Sequence, residues 1–356
     1  MAQASTSQPS SAALNESTAR LVAPTSFNDT VRKIASKATQ CPCPPGRNLV
    51  VCIDGTSNQF SKENSNVVEL YSRLVKDADQ LTYYNSGIGT YVKHSEGWRS
   101  WLSLFSWWQA FVHAIDMATA WTLKSKVLSA YQWLSENYED GDRIFLFGFS
   151  RGAYQVRVIA GMLELVGLLY KGNNEQIPFA YELYTNSISD DRRSDEKKQK
   201  PLCAHFKRTL SRPNVRAHFV GTWDTVSSVG IFRGRRLPET ITGMKHVCYF
   251  RQALALDELR VKFLPEFANG GAAPSGENIK EVWFAGSHSD INLFGPSLRW
   301  MSYEAISSGL RMIPRQGEWS RIPLNDSMSW WWRILEYSLF PIPRLSYKGK
   351  DDIERW

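Results

Sequence analysis

Leu49-Val50-Val51-Cys52-Ile53 is a continuous apolar run that follows Asn48 and stops at Asp54-Gly55-Thr56. So short a run, apolar at every position and closed by turn residues, predicts a strand buried on both faces of a parallel sheet. Arg143 to Phe149 repeats the pattern, as do Val215 to Trp223 and Lys280 to Phe284, while Thr82 to Asn85 reads as a shorter strand. Between them the period changes. Val67 to Val75 predicts a helix. From Ala118 to Tyr138, Leu123, Val127, Tyr131 and Leu134 recur at helical spacing, and Glu139-Asp140-Gly141-Asp142 ends the segment. A further helix runs from Gly152-Ala153 through Leu168, and the mixed-charge run 189–200 reads as an exposed insertion. Strands alternating with helices predict an α/β fold whose mostly parallel sheet carries helices on both faces.

The ends of the chain lack this patterning. Residues 1–47 are rich in Ser, Ala, Thr, Gln and Pro, which predicts a disordered arm ahead of one domain over 48–350 and a tail at 351–356. At 98–111, Trp98, Trp101, Phe105, Trp107, Trp108 and Phe111 crowd into an aromatic-rich insertion. Composition is that of an ordinary globular protein, with 43% hydrophobic and 22% charged residues in 356. The net charge of +7 suits anionic partners or a solvated surface, and no nucleic-acid-binding signature accompanies it.

Five cysteines, odd in number and sparse, argue against a disulfide framework. Cys41-Pro42-Cys43 has no second Cys/His pair at ligand spacing, so it reads as linker, and neither a metal nor a cofactor is expected. The first residues have no apolar signal-peptide core and no run of 18 apolar residues occurs, which predicts a cytoplasmic protein.

Candidate chemistry centres on Gly148-Phe149-Ser150-Arg151-Gly152, a G-x-S-x-G pentapeptide between a buried strand and a helix. That context is a nucleophile elbow: the serine projects above the sheet, and the glycines remove Cβ atoms where strand and helix meet. It makes the fold α/β-hydrolase-like, in which the chain order is Ser, acid, His. Asp224, delivered by the strand ending at Trp223, fits the acid, and His288, four residues past Phe284, fits the base. His94 and His113 precede the serine, His205 and His218 precede Asp224 or lie inside its strand, and His246 borders an apolar run. The Arg151 N–H at the helix start is the first oxyanion donor, and the Asp54-Gly55-Thr56 turn supplies the second through Gly55 or Thr56. Asp54 either contacts substrate or orients that turn.

Several stretches together resemble one family. They are Leu49 to Thr56, Gly87-Ile88-Gly89-Thr90, Gly148 to Tyr154, Val220 to Val226, Arg251 to Glu258, and Trp283 to Asp290. The family is the α/β-hydrolase domain of formerly unknown function found in many fungal proteins and in bacterial type VI secretion phospholipase effectors, and the Trp283 segment looks like its fungal branch. The resemblance implies a triad of Ser150, Asp224 and His288 and, from the bacterial members, phospholipase-like activity. Two positions depart from it: Asn292-Leu293-Phe294 replaces glycines after the base, and Gln252 stands where the family often has His. A bulky residue forced into a glycine conformation costs on the order of 1–3 kcal/mol, unless the loop changes shape.

The expected function is therefore a serine hydrolase of carboxylic esters, on a lipid or phospholipid, through an acyl-enzyme. The alternatives are a degenerate hydrolase fold serving as a binding scaffold, or a hydrolase of non-lipid acyl bonds. Asp54, Trp107, Trp108, Leu293 and Phe294 are the expected substrate contacts. Segment 98–111 is either a membrane-contacting flap, which would bring the protein to a bilayer surface, or a packed helix pair. Arg233, Arg235 and Arg236 form an exposed basic loop or meet a phosphate. Oligomeric state is not legible in the sequence.

Overall fold

A computed structural model describes residues 43, 46–55, 64–86, 122–187, 196–226, 237–240, 242–258, 265–269, 278–293 and 295–314. Thr56, Trp107, Trp108 and Phe294, with segment 98–111 and the three arginines at 233–236, lie outside them. So do most of the predicted arm and the tail.

Six strands form one sheet: β1 (Asn48–Ile53), β2 (Gln80–Asn85), β3 (Arg143–Phe149), β6 (Ala217–Trp223), β7 (Tyr249–Ala255) and β8 (Ile279–Phe284), in the order β2-β1-β3-β6-β7-β8. Every neighbouring pair is parallel. A small antiparallel pair, β4 (Leu168–Leu169) with β5 (Ser211–Arg212), sits apart. The helices are α1 (Asn66–Ser72), α2 (122–137), α3 (Arg151–Leu165), α4 (Ile177–Asn186), α5 (Glu196–Leu210) and α6 (Pro296–Ser307). The fold is α/β, as the alternation of strand and helix patterns predicts.

Strand alternation divides the apolar residues between two cores. Leu49, Val51 and Ile53 face one way, with Val127 and Leu134 of α2 and Val156 and Ile159 of α3. Val50 and Cys52 face the other, with Leu70 of α1 and Leu298 and Met301 of α6. All five of those β1 residues are fully buried, which explains why the strand reads as an uninterrupted apolar run. Each large side chain hidden this way contributes about 1.5–3 kcal/mol.

Two expectations need correction. Strand β7 was not predicted, because Arg251 and Gln252 interrupt it. Both are buried: Arg251 Nε donates to Glu304 Oε2 of α6 at 2.5 Å, so a charge inside the sheet is paired from a distant helix. The charged run 189–200 is not wholly an insertion, for its residues from Glu196 onward begin α5, where Glu, Lys and Gln are good helix formers.

The chain leaves β1 toward β2 on one side and leaves β3 toward β6 on the other. The carboxyl ends of β1 and β3 therefore flank the crevice where such sheets place their chemistry.

Candidate active site

Ser150 is the first residue beyond β3 and precedes α3. Its backbone has φ 55 and ψ −121, a strained conformation costing on the order of 1–3 kcal/mol. Three hydrogen bonds hold the turn: the Ser150 N–H donates to the Trp223 carbonyl at 2.9 Å, and the Ser150 carbonyl accepts from the Val226 and Tyr154 N–H groups, each at 3.3 Å. Close packing holds it too. A Cβ at Gly148 would lie 2.5 Å from the Gly152 carbonyl oxygen, and a Cβ at Gly152 would collide with the Ile53 carbonyl oxygen. The pentapeptide's glycines are thus required by backbone contact.

Asp224 follows β6 directly, at φ 41 and fully buried. Its N–H donates to the Ala253 carbonyl at 2.8 Å and its Oδ1 accepts the Ala255 N–H at 3.2 Å, so β7 orients the carboxylate. Oδ2 meets His288 Nδ1 at 2.5 Å, and His288 Nε2 lies 2.9 Å from Ser150 Oγ. A carboxylate only accepts, so Nδ1 carries the proton and the Nε2 lone pair faces the hydroxyl. The Phe149 ring packs against the imidazole at 4.7 Å between centroids. Such a chain can take the proton from Oγ as the oxygen attacks an electrophile.

The other histidines are elsewhere. His205 bonds Arg208 in α5, His218 packs edge-on to Phe145 and Tyr249, and His246 faces Glu239. His94 and His113 lie outside the described residues.

The loop that carries His288 is held by acids for which the sequence reading assigned no role. Asp257 accepts the Gly286 N–H at 2.7 Å, Glu258 accepts the His288 N–H at 3.0 Å, and Asp290 accepts both the Ser287 N–H and hydroxyl at 2.9 Å. Asp290–Asn292 form a single 3-10 turn, and Leu293 is extended at φ −82. Leu293 therefore sits where a bulky residue is unstrained. Asn66 at the start of α1 locks it, donating through Nδ2 to the Ile291 carbonyl at 2.6 Å and through its N–H to Asn292 Oδ1 at 3.3 Å.

Gln252 has a defined task. Its Oε1 accepts from Arg157, Thr222 and Thr225 at 2.5, 3.0 and 2.6 Å, and its Nε2 donates to Glu281 and the Glu266 carbonyl at 2.9 and 3.0 Å. It anchors Thr225, the residue after Asp224.

At the end of β1, the Asp54 carboxylate accepts from the Gly55 N–H at 2.7 Å, the Ser65 hydroxyl at 2.6 Å and the Tyr84 hydroxyl at 3.3 Å. These bonds orient the turn beside the elbow, where a Cβ on Gly55 would lie 3.5 Å from the Ser150 Cβ. The Gly55 N–H is directed to Asp54. The Arg151 N–H belongs to the first turn of α3, where N–H groups lack intrahelical acceptors and the helix dipole is positive. Burial and the nearby Asp54 push the Cys52 thiol up, so it stays protonated and unreactive. Two cations share this edge. Lys126, buried and donating to the Ser86 carbonyl at 2.8 Å, is pushed down to about 8, first by burial and then by Arg151. Among the described residues Arg151 forms no ion pair.

A family model described as the catalytic domain of type VI secretion system Tle1-like phospholipase effectors matches residues 47–309. An uncharacterized protein of Saccharomyces cerevisiae, YEL023C, is 37% identical over 230 residues, which cover 61% of this chain and 32% of that protein. Two solved structures also match. One is an uncharacterized protein from Pseudomonas aeruginosa, with a TM-score of 0.39 and 17% identity over 80% of this chain and 48% of the other. The second is the Tle1 effector bound to the VgrG spike of the type 6 secretion system, with a TM-score of 0.36 and 18% identity over 71% and 53%. The chain thus spans about a third of the yeast protein and about half of each solved chain.

Proposed function

From a chain that belongs to the family of Tle1-like phospholipase effector catalytic domains, we propose a serine hydrolase that cleaves carboxylic esters of phospholipids. The observation that carries the reading is the unbroken line Asp224–His288–Ser150, with contacts of 2.5 and 2.9 Å.

In this mechanism Ser150 Oγ attacks the ester carbonyl carbon while His288 Nε2 takes its proton. Asp224 stabilises the imidazolium that forms. The carbonyl oxygen becomes an oxyanion facing the Arg151 N–H at the start of α3. Collapse expels the alcohol, which receives the proton from Nε2, and leaves an acyl group on Oγ. Water, deprotonated by the same nitrogen, attacks the acyl carbon, and the departing Oγ recovers the proton. The products are a carboxylic acid and an alcohol, which for a phospholipid is the lysolipid. Arg151, which forms no ion pair among the described residues, and Lys126, whose charge Asp54 partly offsets, support an anionic substrate. Asp54 serves the turn rather than the substrate, and Leu293 borders the base loop.

The purified chain should label with a fluorophosphonate at Ser150 and release fatty acid from phosphatidylcholine–phosphatidylglycerol vesicles, and Ser150→Ala should do neither. Activity confined to short soluble esters would move the reading to non-lipid acyl bonds. A protein that neither labels nor hydrolyses any ester would be a scaffold. Against that last reading stands the altered base loop itself, which seats His288 within hydrogen-bond reach of the serine.

A further inference from the structure

On the opposite, amino edge of the sheet, three potential ligands from distant parts of the chain converge. Cys43 precedes β1, His218 lies in β6 and Cys248 immediately precedes β7. The Cys43 and Cys248 sulfurs are 3.3 Å apart, and one ring nitrogen of His218 lies within 4.8 Å of both. His218 and Cys248 are buried, while Cys43 is half-buried. No step of the hydrolysis uses them.

The chemistry is that of a thiophilic cation. Thiolate and imidazole in one cluster select zinc over oxygen-loving ions. The imidazole is anchored: its Nε2 lies 2.8 Å from the Ser308 carbonyl at the end of α6. A carbonyl only accepts, so Nε2 carries the proton, an outer-shell contact of the kind that fixes the tautomer of ligating histidines. The sulfur separation exceeds that of a disulfide, roughly 2.05 Å. Tetrahedral zinc with bonds of roughly 2.3 Å would place two sulfurs roughly 3.8 Å apart, so a small outward movement admits the ion.

We propose that Cys43, His218 and Cys248 bind one zinc ion, with a water or other donor completing the tetrahedron, as a structural clip joining the segment before β1 to the start of β7. The cross-link joins cysteines 205 positions apart in the sequence. Metal bound only by the folded chain stabilises it. Spacing in the sequence concealed the site, because its ligands are assembled by the sheet.

The full chain, purified with reductant, loaded with zinc and passed into metal-free buffer, should retain about one zinc per molecule, as structural sites do. Its melting temperature should rise with zinc. Cobalt in place of zinc should give a thiolate-to-metal charge-transfer band. Cys43→Ser, a half-buried position outside the sheet, should lose the retained zinc, the band and the thermal shift while keeping native circular dichroism. His218→Gln should weaken zinc binding roughly 10²-fold. Ser150→Ala should keep all the metal, so the two functional readings fail independently. The site is overturned if the wild-type chain retains no zinc, if Cys43→Ser retains as much, or if a Cys43–Cys248 disulfide persists in reductant and zinc.

Discussion

The turn that carries Ser150 and the loop that carries His288 meet at one hydrogen bond, yet they are built on opposite principles. The serine turn takes its shape from its own sequence: two glycines, the end of a strand and the start of a helix fall within five residues, with strain stored at φ 55, and the distant groups that hold it, at Ile53, Trp223 and Val226, are backbone. The histidine loop is made by distant groups. Glu258 bonds it across 30 residues, and Asn66 across 225 and 226. A locally enforced turn tolerates almost no substitution. A loop held by side chains elsewhere can exchange glycines for Asn292 and Leu293, provided those partners are kept. The two constructions should therefore fail differently.

Ser150→Ala probes the chemistry and leaves both frameworks intact. Turnover should fall roughly 10⁴-fold or more with little change in melting temperature. A modest loss would show that another nucleophile acts. Gly152→Ala tests the local framework. Its Cβ meets the β1 carbonyls with nowhere to relax, so the fold should lose roughly 3 kcal/mol, read by denaturant titration. A stable, active variant would disprove the close packing. Glu258→Gln tests the distant framework. Stability should hold within about 1 kcal/mol. Release of the His288 N–H should lower kcat roughly 10-fold, a fraction of the cost of a 1 Å displacement; unchanged kcat would remove Glu258 from the positioning set.

Replacing Asn292 and Leu293 by glycine has a smaller expected effect. Since Leu293 already has an ordinary φ, glycine relieves nothing there, and each replacement should cost about 0.5–1 kcal/mol through backbone entropy, to which Asn292→Gly adds loss of the acceptor for the Asn66 N–H. A rise in activity would mean that the loop is strained after all. The smallest effect concerns Lys126. In the fold its pKa is lowered from 10.5 to about 8, so below that value the folded chain carries a buried charge at a penalty. Between about 8 and 10.5 the folded state binds fewer protons than the unfolded state, and stability gains as pH rises. Lys126→Met should raise the melting temperature at pH 7 and flatten that dependence; a lowered melting temperature at pH 7 would contradict it.

The same contrast decides what was legible in the sequence. β1, β3, β6 and β8 announce themselves through apolar runs, and Ser150, Asp224 and His288 through their places after strands. β7 stayed hidden because its Arg251 and Gln252 look like surface residues until Glu304 and Arg157 are brought to them. Asp257 and Glu258 stood inside a recognised stretch without a role, since their contacts depend on where β8 ends. Asp54 was read with two possible tasks, and only the positions of Ser65 and Tyr84 show its bonds. In each case the missing information was a long-range contact, which no window of sequence contains.

The separation of 138 positions from Ser150 to His288 also has a meaning in time. A ribosome adding about 5–20 residues per second would need roughly 7–28 s to pass from one to the other. Throughout that interval the elbow can form, for its glycines and strand are already made, but its hydroxyl has no base. Asp224 arrives midway and still lacks the imidazole it must orient. The parallel sheet, whose neighbours are joined only by long crossovers, adds a further delay before the last contact closes. Under the mechanism proposed above, a nascent chain stays silent toward surrounding esters until β8, which leads to His288, is in place. Under that mechanism the order of residues along the chain acts as a safety catch.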